Sequence, residues 1–146
     1  MEHRSPLCRQ WSIPSSLGSE REIIEQIAAE IRRREPDDSR TDDIKTAVAE
    51  AWLNAIEHGN RCEAGLRVTV AMTARAGGYS FVVADRGEGA PAIPARAPRL
   101  IDKWRDERPR GWGLYLMSKL SDRLEFGQRD GMSFVEIIFD RKGEKG

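Results

Sequence analysis

Glu50-Ala51-Trp52-Leu53-Asn54-Ala55-Ile56-Glu57-His58-Gly59-Asn60 is the stretch on which the reading of this chain turns. Residues four apart on a helix stack on one face, and Glu50, Asn54 and His58 have that spacing. They make one polar stripe. Ile44, Val48, Ala51, Trp52 and Ala55 make a separate apolar stripe, about a third of a turn away at roughly 3.6 residues per turn. The spacing predicts one helix with a core face and, beside it, a carboxylate, an amide and an imidazole in line. Thr41 reads as its N-cap, Asp42 and Asp43 sit where anions favour a first turn, and Gly59-Asn60 ends it.

Upstream, residues 7–13 read as a short strand with Trp11 and Ile13 on one face, broken by Pro14. Ser19-Glu20-Arg21-Glu22 reads as a capping box opening a helix whose apolar stripe is Ile23, Ile24, Ile27, Ala28 and Ile31. Arg32-Arg33-Arg34 closes it at the negative end of the dipole, a better account of that run than a nucleic-acid patch. Pro36-Asp37-Asp38-Ser39 is a turn.

Downstream, Leu66, Val68, Val70 and Met72 alternate with Arg67, Thr69, Ala71 and Thr73, the pattern of a half-buried strand. Gly77-Gly78 turns it into a partner strand over 79–84, a hairpin. Residues 90–110 hold Pro91, Pro94, Pro98 and Pro109, too long and proline-broken for a simple connector. Gly111-Trp112-Gly113 opens a helix carrying Leu114, Leu116, Met117 and Leu120. Leu124 and Phe126 mark a strand, Asp130-Gly131 a hairpin turn, and 134–139 a last strand with Val135, Ile137 and Phe139 on one face. The expected order is βααββ, a long loop, then αββ. Strands that follow one another in hairpins predict an α+β fold with a mixed, mostly antiparallel sheet and helices on one face.

The 146 residues are one domain's worth, with a core expected over about 7–140. Lys+Arg and Asp+Glu are both 24, so there is no global basic field for nucleic acid. Cys8 and Cys62 lack metal-ligand spacing and do not make a disulfide framework, which fits a reducing cytoplasm. No stretch has the roughly 20 apolar residues of a membrane span.

Three short motifs carry chemistry. Asp85 stands where a strand gives way to a glycine turn, Asp85-Arg86-Gly87-Glu88-Gly89. A carboxylate there can accept from the exocyclic amine of a purine, and Gly87 and Gly89 let backbone approach a flat base. Gly111-Trp112-Gly113-Leu114 at a helix start offers free N–H groups and a positive dipole end to phosphate oxygens. Alone, each reads equally well as an ordinary turn. Asn54 can ligate a hard cation such as Mg²⁺ through its amide oxygen, and Glu50, one turn earlier, can orient or deprotonate an attacking hydroxyl.

Glu50-x-x-x-Asn54-Ala55-x-x-His58-Gly59 resembles the N-box of the nucleotide-binding superfamily of gyrase, heat-shock chaperones, histidine kinases and mismatch-repair proteins. Asp85-x-Gly87-x-Gly89 and Gly111-x-Gly113-Leu114-x-Leu116 resemble its two glycine boxes. Within that superfamily the short chain and the Glu-Ala, Asn-Ala and His-Gly pairs resemble the bacterial anti-sigma factor serine/threonine kinases, from about residue 13 to 139. The resemblance implies a two-layer α/β sandwich binding ATP and Mg²⁺. It implies Glu50 as general base, Asn54 as Mg²⁺ ligand, Asp85 as adenine reader, and Gly87, Gly89, Gly111, Gly113 and Leu114 around the nucleotide, with Ser133 near the adenine. His58 either touches nucleotide or supports the helix end. Residues 90–110 correspond to the lid over ATP, with no lid residue assigned a catalytic part. The partners implied are a sigma factor and a small STAS-type antagonist phosphorylated on serine or threonine, with a homodimer as the working form and no direct contact with nucleic acid or membrane. The alternatives are an ATP-dependent binding switch without transfer, or a kinase element acting on another signalling protein.

Overall fold

The computed structural model describes residues 7–15, 18–35, 40–56, 67–75, 77–86 and 112–140. In chain order the elements are β1 (Leu7–Pro14), α1 (Arg21–Arg34), α2 (Thr41–Asn54), β2 (Arg67–Arg75), β3 (Gly78–Asp85), α3 (Trp112–Leu120), β4 (Arg123–Arg129) and β5 (Met132–Asp140). The α+β sandwich and the element order expected from hydrophobic periodicity are what forms. The five strands make one sheet in the order β1-β2-β3-β5-β4. All four pairings are antiparallel, so the sheet is uniform where a mixed one was expected. β5 enters between β3 and β4, which leaves β1 and β4 as the edges.

Alternate strand residues meet the helices in one core. Val68, Val70, Met72 and Ala74 of β2, Tyr79, Phe81 and Val83 of β3, and Val135, Ile137 and Phe139 of β5 join Ile24, Ile27 and Ile31 of α1 and Ile44, Ala47, Val48, Ala51 and Trp52 of α2. Each large aliphatic side chain removed from water in this way contributes roughly 1.5–3 kcal/mol. Phe81 is the hub of the aromatics: Tyr79 stacks on it at 6.4 Å, and Phe139 meets it edge-on at 6.1 Å. Trp52 is 0% exposed, and its indole N–H has no hydrogen-bond partner among the described residues. Its burial is carried by ring area rather than by a polar anchor.

The helix starts differ from the sequence reading. α1 begins at Arg21, with Glu20 in the N-cap position in helical backbone conformation and no side-chain cap hydrogen bond. Arg21 N–H donates to Gly18 O, and Gly18 has φ +92°, a left-handed conformation that glycine adopts without a Cβ penalty. A backbone turn at Gly18 therefore leads into α1, and the N-cap position falls at Glu20, one residue later than the sequence reading placed it. Similarly, Arg40 occupies the N-cap position of α2 and Thr41 is its first residue. The hairpin turns are close to expectation. Asp130 (φ 53°) and Gly131 (φ 78°) have the paired positive φ of a two-residue hairpin turn, joining Arg129 to Met132. Gly78 (φ 140°) is the first residue of β3 rather than part of the turn before it.

Candidate functional site

Glu50 and Asn54 lie on α2, one turn apart and about 6 Å along its axis. Both are half-buried, beside a core face made by Ala47, Val48, Ala51 and Trp52. The helix pattern decides this placement: the apolar stripe anchors α2 on the sheet, and the polar stripe comes out along its flank. Beyond Asn54 the helix changes pitch. Ala55 N–H is shared between Ala51 O and Trp52 O, and Ala55 and Ile56 continue as a π-type turn with both side chains buried. Such turns re-aim the adjacent side chains and recur at functional sites.

Asp85 and Ser133 face each other across the β3–β5 ladder. Both side chains are on the helix side of the sheet, following Tyr79, Phe81 and Val83 on one strand and preceding Val135, Ile137 and Phe139 on the other at every second position. They are 9% and 8% exposed. The row continues onto β4, where Gln128 pairs with Ser133 and its Nε2 donates to Ser133 Oγ at 3.4 Å. A carboxylate, a hydroxyl and an amide thus run side by side across three strands, where the apolar rows of the sheet give out.

Contacts at the far end of the molecule fix which ends of the elements lie together. The Arg40 guanidinium, at the start of α2, donates through Nη1 to Asp122 Oδ2 at 3.0 Å and to Asp140 O at 2.7 Å. Its Nη2 donates to Leu120 O at 3.4 Å, and the group lies over the Phe139 ring at 5.1 Å. The start of α2, the end of α3 and the end of β5 therefore meet at Arg40. Asn54 lies about 20 Å along α2 from that corner. Ser133 lies about 23 Å along β5 from Asp140, in the same sense. α3 packs against α2 with its last residue at the corner, so its first turn points back toward Glu50 and Asn54. Asp85, Ser133, Glu50, Asn54 and the N-terminus of α3 are all directed to one end of the sandwich.

That first turn contains Gly113 and Leu114, both buried. The Leu114 side chain is 5% exposed and belongs to the hydrophobic core. What α3 can present to a ligand at that position is backbone N–H, of which the first four in any helix lack intrahelical acceptors. His58, Gly87, Gly89 and Gly111 lie outside the described residues, as do residues 90–110 and Cys62. Gln128 was not singled out from the sequence, although the signal was there: a two-residue turn at Asp130-Gly131 places 128 opposite 133. None of the described helices is long and apolar enough to cross a membrane.

Chemically, the end of the sandwich combines a hard oxygen donor, a carboxylate one turn away, a buried carboxylate beside a hydroxyl, and a helix N-terminus. Comparison with known proteins agrees in extent. The model of the histidine kinase-like ATPase domain matches residues 13–139. The anti-sigma F factor of Clostridium perfringens is 34% identical over 118 residues, covering 80% of this chain and 82% of that protein. Among solved structures, the RsbU and RsbW domains of Rv1364c from Mycobacterium tuberculosis superpose with a TM-score of 0.63 at 20% identity, over 94% of this chain and 33% of that one, so this chain spans a third of its length. The SiaB–SiaC complex from Pseudomonas aeruginosa gives 0.56 at 17% identity, over 92% of this chain and 89% of that one. The chain belongs to the histidine kinase-like ATPase domain family, in the branch that holds the anti-sigma factors.

Proposed function

We propose that this protein is an anti-sigma factor with ATP-dependent serine/threonine kinase activity, working in the cytoplasm as a single ATP-binding domain with residues 90–110 as its lid. It would sequester a sigma factor and transfer the γ-phosphate of ATP to a small STAS-type antagonist, in a homodimeric working form. The observation that carries this reading is the placement of Glu50 and Asn54, one turn apart on α2, at the same end of the sandwich as the Asp85–Ser133 pair and the first turn of α3. The name of the relatives as anti-sigma F factors supports the biological role. The neighbour solved in complex with a second protein supports a protein partner.

In this reading Asp85 accepts from the 6-amino group of adenine, and Ser133 lies against the same base edge. Backbone N–H groups at Gly113 and Leu114 hold phosphate oxygens at the positive end of α3. The Asn54 amide oxygen is the kind of hard, neutral donor that suits Mg²⁺, an ion that takes most of its remaining ligands from phosphates and water. When bound, Mg²⁺ supplies charge neutralisation at the phosphates. Glu50 accepts the proton of the acceptor hydroxyl as that oxygen bonds to the γ-phosphorus and ADP departs. His58 supports the end of α2 or reaches the nucleotide, and Gly87, Gly89 and Gly111 complete the cradle.

The test uses γ-labelled ATP, Mg²⁺ and a purified antagonist. Label should appear on a serine or threonine of the antagonist. Glu50→Gln should cut the transfer rate about 10²- to 10⁴-fold with ATP affinity kept, since a misplaced proton acceptor costs chemistry and not binding. ATP binding without transfer to any antagonist would replace the kinase by a nucleotide-gated binding module.

A further inference from the structure

We propose that β1 is an interface: it pairs edge to edge with β1 of a second copy, antiparallel and centred on Gln10, so that two five-stranded sheets become one. The inference gives a surface to the homodimer of the proposed function and uses none of the nucleotide assignments. It starts from the edges of the sheet, which among the described residues are β1 and β4. An edge strand offers unpaired backbone N–H and C=O groups to another strand, and charged side chains along it discourage that pairing. β4 carries Arg123, Glu125 and Arg129 on its outer face, all exposed. The exposed residues of β1 are Cys8, Gln10 and Ser12, with no charge among them. The single charged side chain of β1, Arg9, lies on the helix side, with its guanidinium over the Trp11 ring at 4.8 Å. That pair is held in place from α1: Gln26 Oε1 accepts from Arg9 Nη2 at 3.0 Å and from Trp11 Nε1 at 3.2 Å. Arg9 and Trp11 are nevertheless only half-buried, on the side where no described strand follows.

The order of residues along β1 selects a second copy as the occupant. With both sets of helices on one face of the joined sheet, inner residues stand opposite inner residues, and the two-fold axis passes through one residue of the strand. An axis at Arg9 would set two guanidinium groups directly opposite each other, a destabilising pair. An axis at Trp11 would bring Pro14, which has no N–H, into the ladder. An axis nearer either end leaves fewer residues paired. An axis at Gln10 has none of these faults. It sets Arg9 opposite Trp11 of the second copy, Leu7 opposite Ile13, Cys8 opposite Ser12 and Gln10 opposite itself. The cation–ring contact within each chain is then repeated across the axis. The apolar ends of the inner row meet, and the outer face pairs neutral groups. In this register β1 is complementary to itself, which an isologous contact requires.

The experiment is mild oxidation of the full chain in a Cys62→Ser background, with covalent dimer read by intact mass and the solution mass by light scattering. Directly opposed residues of an antiparallel pair lie about 4.5–5.5 Å apart between Cα atoms, within reach of a disulfide. Cys8 of one copy lies four residues, about 14 Å, along the strand from Cys8 of the other. Cys62→Ser alone should therefore be a dimer in solution that oxidation leaves without a bridge, although Cys8 is exposed. Adding Ser12→Cys should give covalent dimer, because position 12 faces Cys8 of the second copy, and adding Cys8→Ser to that variant should abolish it. Gln10→Cys with Cys8→Ser should give covalent dimer through one bridge on the axis. Ser12 Oγ accepts from Arg67 Nε at 2.8 Å, so the exposed position 10 keeps the test open should Ser12→Cys fold poorly. A chain that is dimeric in solution, yet forms no more covalent dimer in these variants than in Cys62→Ser alone, overturns this interface and leaves the homodimer standing. A chain that is monomeric at every concentration overturns the homodimer as well.

Discussion

Asp85 is an ionisable side chain at a place where the sheet otherwise buries aliphatic and aromatic groups. Burial of a carboxylate is costly unless hydrogen bonds meet it, so a strand that ends its inward row of Tyr79, Phe81 and Val83 with aspartate has a polar partner to satisfy there. Ser133 across the ladder supplies a hydroxyl at the same level. The expected consequence of Asp85→Asn is specific. The amide keeps the volume but replaces a two-oxygen acceptor with one acceptor and one donor, and it loses the charge-assisted bond proposed for the adenine amino group. ATP affinity should fall about 10- to 100-fold, the cost of roughly 1.5–3 kcal/mol for a hydrogen bond to a charged group. Calorimetric titration checks this, with the melting midpoint of the nucleotide-free protein as the control for folding. An unchanged affinity would remove Asp85 from the base site. Leu114 illustrates the opposite division of labour: its side chain is core, so the proposed phosphate contact uses its backbone N–H alone.

At the scale of elements, Arg40 joins three of them. Its guanidinium meets a carboxylate, two backbone carbonyls and a ring face, and Asp122 in turn accepts from Asp140 N–H at 2.7 Å. The group is planar with five donors in a fixed fork, which lysine cannot reproduce. Arg40→Ala should cost about 2–3 kcal/mol and lower the melting midpoint by about 6–10 °C, and Arg40→Lys should recover less than half of that. Differential scanning calorimetry reads both. A loss within error for alanine would mean that the corner is solvated rather than structural. The existence of these elements was legible in the sequence because periods of 2 and 3.6 show in the apolar positions of β2, β5 and α1 alike. The entry of β5 between β3 and β4 was not, because periodicity fixes which face a residue takes and not which strand lies next to which. Nor were the helix starts to the residue: Ser19 and Thr41 have capping chemistry, but the N-cap positions fall at Glu20 and Arg40. Arg40 itself carries no local signal at all; its partners are about 80 to 100 residues distant.

The described residues divide into an end fastened by Arg40 and an opposite end that carries the candidate site residues. At the first, Arg40 ties α2, α3 and β5 together, and Tyr79 OH donates to Glu35 Oε2 at 2.9 Å, tying the start of β3 to the end of α1. At the second, Asp85, Ser133, Glu50, Asn54 and the first turn of α3 are directed to the same end, from segments spread over 84 positions of sequence, from 50 to 133. The motifs at that end were readable one by one; that they share an end depends on α2 starting, and α3 finishing, at the Arg40 corner, a tertiary fact that no local pattern states. This division makes a prediction for amide hydrogen exchange with and without ATP and Mg²⁺. A ligand that binds only the folded chain slows every amide that exchanges through global unfolding, by about 2.7 kcal/mol at a hundred times its dissociation constant. Amides that exchange through local opening respond only where the ligand closes that opening. The β3 end at Asp85, the β5 start at Ser133, the last turn of α2 and the first turn of α3 should therefore gain protection beyond the global increment. The last turn of α3 and the β5 end at Asp140 should gain no more than that increment, because Arg40 already holds them. Exchange read by mass spectrometry at peptide resolution separates the two groups. Equal extra protection at both ends would mean that the nucleotide tightens the sandwich as a unit, and extra protection at the Arg40 corner alone would place the ligand at the wrong end of the molecule.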